Sequence, residues 1–175
     1  MKTTSTSSAA GRRRARVKRP DGPDQLRLFF YLFFNFIQRL DRARRKAYAG
    51  DIELATISEA IALSAIEPGM RDAKFREKFR SVQEVVGTDR QRGVNALSIA
   101  AATGIPRETT RRKIRKLIEL GAIMELRRGQ YVMRPGFLQQ KSLQAPFDQL
   151  INDTARFINE SLDHGLFVWS EEPDK

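Results

Sequence analysis

Much of the usable side-chain chemistry of this 175-residue chain lies in one short stretch, Arg107-Glu108-Thr109-Thr110-Arg111-Arg112-Lys113-Ile114-Arg115-Lys116. A guanidinium such as that of Arg107, Arg111, Arg112 or Arg115 presents a planar fork of donors. That fork grips a phosphate or the two acceptors on a guanine edge. The Glu108 carboxylate can accept a hydrogen bond from cytosine N4, while Thr109 and Lys116 suit phosphate oxygens. A second basic group, Arg127-Arg128-Gly129-Gln130, follows eleven positions later. The rest of the inventory excludes other chemistry. With no cysteine there is neither a disulfide framework nor a Cys zinc site, and a single histidine removes His-His metal pairs and Ser-His-Asp triads. No acid, base and nucleophile can be assembled, so the expectation is a protein that is not an enzyme and needs no metal or cofactor. His164 reads as a favourable charge at a helix end.

The basic stretch needs a helix to hold it. Thr110, Ile114, Leu117 and Ile118 recur at helical steps and form an inward stripe, which puts Glu108, Thr109, Arg112, Arg115 and Lys116 on the opposite face with Arg111 beside them. Pro106 suits the first turn of that helix, and Gly121 ends it. Upstream, Ser98 to Thr103 reads as a short helix with Ser98 as its cap; Ala100 and Ala101 permit close crossing, and Gly104 supplies a tight turn. Downstream, Ile123–Leu126 and Tyr131–Met133 read as two strands joined at the Arg127–Gln130 tip. A basic helix projecting from a helix-turn-helix has the shape that enters a DNA major groove, and a basic hairpin can follow phosphates or reach a minor groove.

The stretch LSIAAATGIPRETTRRKIRKLIELGAI resembles the winged helix-turn-helix of bacterial regulators similar to the MarR-like and GntR-like groups, over residues of about 73–135. The resemblance implies a first helix over Phe75–Val86, a second over Ser98–Thr103, a recognition helix over Pro106–Leu120 and a wing over Ile123–Met133. It also implies DNA binding by residues 106–116, 127 and 128, to which Ser98, Thr103 and Gln130 are added as flanking contacts. Thr110 stands where such motifs often carry Val. Nothing before residue 70 matches a known family, so effector class and regulatory direction are not inherited.

Charge is divided unevenly: residues 1–20 carry +7, residues 21–89 are neutral, residues 90–135 carry +8 and residues 136–175 carry −4. The first block joins a Ser/Thr/Ala run to Gly11–Arg19 and reads as a disordered basic tail, 1–23. Next comes Leu28-Phe29-Phe30-Tyr31-Leu32-Phe33-Phe34-Asn35-Phe36-Ile37, which with Ala47-Tyr48-Ala49 imitates a leader and cleavage site. The intervening Gln38–Lys46 is too charged for a leader, and the apolar run is about half of what a bilayer needs. A helix over about Asp24–Ala49 ended by Gly50 is expected instead. It is apolar nearly all round at its start, so more than one partner must cover it.

Three covers compete: a second copy of the chain, the chain's own C-terminal helix, or a small apolar effector in an aromatic pocket. Under the first, the dimer interface comprises Leu26, Phe29, Phe30, Phe33, Phe34, Ile37, Leu150 and Ile158. Asp51 should cap a helix running to about Ile66, where Glu67-Pro68-Gly69 stops it, and these elements form an N-terminal body over 24–70. A winged unit then spans 71–136. A C-terminal helix opening at Pro146 belongs to 137–175 and packs on the body, with Ser170–Lys175 frayed.

The expected protein is therefore mainly α, with a small hairpin wing and a helical dimerisation body. It is expected to be a bacterial, cytoplasmic, nucleoid-associated homodimer that regulates transcription by binding double-stranded DNA, without a membrane span. The alternative is a sequence-neutral architectural or adaptor protein that uses tail and wing alone.

Overall fold

The structure, a computed structural model, describes residues 14–172. It is mainly helical, with six α-helices, one 3-10 turn and two small antiparallel ribbons among those residues. The chain divides into two compact units, and the boundary passes within two long helices. One unit runs through Ile37 and resumes at Asn152; the other spans Gln38–Ile151.

In the first unit, strand β1 (Arg14–Lys18) pairs antiparallel with β4 (Val168–Glu172), with Val17 opposite Trp169. This corrects the expected tail over residues 14–18 and the expected frayed end over residues 170–172; residues 1–13 and 173–175 lie outside the described residues. Val17, Val168 and Trp169 favour extended backbone, and the two segments satisfy each other's backbone groups. Lys2, Arg12 and Arg13 of the basic block lie outside the described residues. Helix α1 (Leu26–Ala47) starts here, and its Phe33 and Phe36 meet Phe157 of α6 (Lys141–Asp163). The Phe36 and Phe157 rings stack at 4.6 Å between centroids.

The second unit has its own core. Helix α2 (Ile52–Met70) contributes Leu54, Ala55, Ile57 and Ile61, which pack with Ile99 of α4 (Ala96–Thr103) and with Ile114 and Leu117 of α5 (Arg107–Glu119). Ile123 of β2 (Ile123–Arg127), Met133 of β3 (Gln130–Met133) and the following Phe137 and Leu143 close it. Each fully buried Leu or Ile there contributes about 1.5–3 kcal/mol of transfer free energy. The helix packed on α4 and α5 is thus α2, rather than the Phe75–Val86 segment. A domain boundary at residue 70 therefore fails, because α2 buries its Leu/Ile stripe in the core of the very unit it was separated from.

Three local departures have plain causes. Helix α2 runs through Pro68 to Met70, since proline's fixed φ is helical and only one hydrogen bond in the last turn is lost. Helix α3 covers only Ala73–Lys78. Beyond it the Ser81 hydroxyl accepts from the Gln83 N–H at 3.2 Å, a local alternative to helical bonding, and Val82 and Val85 are exposed. Its Phe75 ring lies over Gly69, where any Cβ would stand 2.7 Å from ring carbons. Helix α6 opens at Lys141 rather than Pro146, drawn on by the burial of Leu143.

Candidate nucleic-acid interface

Within the Gln38–Ile151 unit, α4, a tight turn and α5 are followed directly by the β2–β3 hairpin. The turn is built by side chains. Gly104 takes φ +70° and ends α4, with its N–H bonded to the Ala100 carbonyl at 3.0 Å. The Thr103 hydroxyl donates to the Ile99 carbonyl at 2.8 Å and accepts from the Ile105 N–H at 3.3 Å. Thr110, fully buried, donates its hydroxyl to the Ile105 carbonyl at 3.2 Å. A threonine where valine would also pack is thereby satisfied, and it ties α5 to the turn.

Thr103, half-buried, thus helps to hold the turn together. Ser98 does not cap α4. Asn95 does, accepting from the Ser98 N–H at 2.9 Å, and Ser98 faces solvent one turn in. Pro106 occupies the cap position of α5 and is exposed.

The cations of α5 fall into two groups. Lys113 is largely buried and bonded to Asp51 at 2.6 Å and to Glu53 at 3.2 Å, both at the start of α2. Asp51 also caps α2, accepting from the Leu54 N–H at 3.1 Å, and Lys116 lies 3.8 Å away. The carboxylate holds the Lys113 ammonium above its ordinary pKa. Burial pushes the Asp51 carboxyl up, but the Lys113 bond, the Leu54 N–H and the nearby ammonium charges outweigh it and leave the group below the usual carboxylate range. Arg107, Arg112 and Arg115, in contrast, are exposed and carry no ion pair among the described residues. Arg111 bonds Glu108 at 2.9 Å, and both face solvent. Thr109 is half-buried.

Beside this face lies a groove of about 720 Å³, lined by Arg107, Arg111 and Arg115 of α5 together with Asn95, with Leu97 of α4 and with Tyr131 of the hairpin. Exposed Arg127 and Arg128 form the hairpin tip with Gly129 at φ +72°, a conformation that favours glycine. The Glu125 carboxylate accepts from the Gly129 N–H at 2.5 Å and closes the tip. Gln130 is half-buried against Gly93, where a Cβ would meet it at 2.8 Å. The hairpin is fixed to the core by Gln91, whose buried amide accepts from the Met133 N–H at 3.0 Å and donates to the Met133 and Val86 carbonyls, each at 3.1 Å. A set of unpaired guanidiniums along a wide groove can hold a polyanion.

No protein-family model, curated protein or solved structure matches the chain.

Of the sequence-derived contacts, Arg107, Glu108, Arg111 and Arg115 line the groove; Arg112 and Lys116 are exposed elsewhere on the same helix, and Arg127 and Arg128 are exposed at the hairpin tip. Asn95, Leu97 and Tyr131 were missed. Asn95 followed by Ser98 three positions on carried a cap signal, but Ser98 drew the assignment. Nothing in the sequence marks Gln91, because its partner in the hairpin lies 42 residues away.

Of the expected interface set, the first unit leaves Leu26, Phe30 and Phe34 exposed, Phe34 at 54%, with Phe30 and Phe34 stacked at 5.4 Å. Ile158 is also exposed, whereas Phe29, Phe33 and Ile37 are half-buried. The chain's own C-terminal helix supplies Phe157 to Phe33, so one of the three expected covers is present on that side of α1. Leu150, half-buried, belongs to the other unit. Among the described residues no helix is long and apolar enough to cross a membrane, and no three His, Cys, Asp or Glu side chains gather as metal ligands.

Proposed function

We propose that the protein is a sequence-specific transcriptional regulator that binds double-stranded DNA as a homodimer through a winged helix-turn-helix. In this reading α5 is the recognition helix, the β2–β3 hairpin is the wing, and the protein acts in the cytoplasm on the nucleoid without catalysing a reaction. The observation that carries it is the sorting of charge on α5. The one inward cation, Lys113, is neutralised by Asp51 and Glu53, while Arg107 and Arg115 are left unpaired in the lining of a groove shared with the hairpin, and Arg112 is exposed on the same helix. A merely solvated helix face gains little from keeping guanidiniums unpaired, whereas phosphates and base edges use them directly.

Dimerisation rests on the exposed Leu26, Phe30 and Phe34 stripe, apolar area of the kind that subunit interfaces cover. A homodimer would address a two-fold related site.

Genome-wide immunoprecipitation with sequencing of bound DNA tests the reading. Sharp peaks that share an inverted repeat are expected, and Arg112→Ala should weaken binding to that repeat by about 1–3 kcal/mol. Broad coverage without a motif would replace it by a sequence-neutral architectural protein.

A further inference from the structure

Two carboxylates line the groove, Glu108 and Glu125. Glu125 has an internal use at the hairpin tip. Glu108 has no partner outside its own helix: it sits in the first turn of α5, where a carboxylate gains modestly from the helix N-terminus, its side chain is 80% exposed, and its partner is Arg111, one turn along, at 2.9 Å. An exposed pair of this kind adds little to stability. A carboxylate amid Arg107, Arg111 and Arg115 also repels phosphate, so it lowers affinity for every nucleic acid alike. A group that weakens general binding and scarcely stabilises the fold fits a role in discrimination.

The ion pair has a direction. Glu108 offers an acceptor; beside it Arg111, whose Nη1 is engaged by Glu108, keeps Nε and Nη2 as a forked donor. Among major-groove edges, a C·G pair presents the complement in one row: the cytosine N4 donor, then guanine O6 and N7 as two acceptors. An A·T pair has its N6 donor between single acceptors, so the fork finds one acceptor instead of two. A thymine in the cytosine place turns O4 towards the carboxylate, acceptor against acceptor, and a G·C pair presents the row reversed.

We propose that Glu108 and Arg111 act as one unit that reads a single C·G base pair in a fixed orientation, with Glu108 as the specificity-determining residue. This rests on the DNA-binding reading above.

The test uses the full chain in selection from a random duplex library, followed by titration of the best duplex and its single-position variants. For the unaltered protein, one position of the motif is C·G, and its replacement by T·A weakens binding at least tenfold. Glu108→Ala abolishes the preference at that position, keeps it elsewhere and tightens binding to unrelated duplexes a few-fold. Glu108→Gln moves the preference towards A·T, because an amide matches the adenine N6 and N7 edge. Arg111→Ala loses the same position. Glu108 is exposed, so unchanged melting curves confirm that specificity and not folding is being read. If Glu108→Ala selects the unaltered motif with its C·G preference intact, the inference is overturned while DNA reading stands. If the unaltered protein selects no motif, the sequence-specific reading falls, and the inference with it.

Discussion

Asp51 does two jobs that two substitutions can separate. One oxygen accepts from the Leu54 N–H and caps α2; the other holds Lys113 of α5. Asparagine caps as well as aspartate, so Asp51→Asn keeps the cap and removes the charge, whereas Asp51→Ala removes both. A charged hydrogen bond between largely covered groups contributes about 1–2 kcal/mol, and the cap about 1 kcal/mol. Urea denaturation at pH 7 should then show a loss of about 1–2 kcal/mol for Asp51→Asn and about 2–3 kcal/mol for Asp51→Ala. In a double-mutant cycle with Lys113→Met, the coupling should be about 1 kcal/mol, reduced because Glu53 still faces Lys113 at 3.2 Å. The coupling must also depend on pH. The Asp51 carboxyl is held lower in the folded chain than in the unfolded one. Its contribution is therefore complete above the unfolded value of about 3.9 and disappears as pH falls through the folded value. Equal losses for the asparagine and alanine variants at pH 7, or a coupling that persists in strong acid, would refute the two-job account.

Other outcomes are equally definite. Since Lys113 is already neutralised, Lys113→Met should leave the salt dependence of DNA binding unchanged, whereas Arg127→Ala and Arg128→Ala should each lower the log–log slope by about one. Gly104→Ala meets open space yet sits at φ +70°, so it should cost about 1 kcal/mol in a thermal melt through backbone strain alone. Replacing exposed Phe30 and Phe34 together by serine should turn a dimer into a monomer in sedimentation velocity with little change in the melting of the other unit. Phe157→Ala removes ring contacts with Phe33 and Phe36 and should destabilise that unit by about 2–3 kcal/mol.

How much of the fold was legible in the sequence depends on range. The α4–turn–α5–hairpin stretch is written in local signals: a cap, a left-handed glycine, a four-residue apolar step and a basic tip. Asp51 as the cap of α2 and the apolar start of α1 were legible for the same reason. What stayed hidden depends on distant partners. Whether α2 belonged with the Phe-rich helix or with α4 and α5 could not be read from its own Leu and Ile stripe, which any apolar surface would cover. The valines of Val82–Val86 mimic a helix face, but a serine turn and solvent exposure end that pattern. Lys113 was indistinguishable from its basic neighbours until Asp51, 62 residues away, was found beside it.

The β1–β4 ribbon makes the described chain a loop closed near its two ends. Some 150 residues separate the partners, so the ladder forms only at a high cost in loop entropy and should be among the last contacts to fold and the first to open. Opening is shared: neither strand has another ladder partner among the described residues, so removing one end of the chain unpairs the other. A truncation placed after residue 167 would thus also unpair residues 14–18, so the extended backbone of that basic segment depends on residues some 150 positions away.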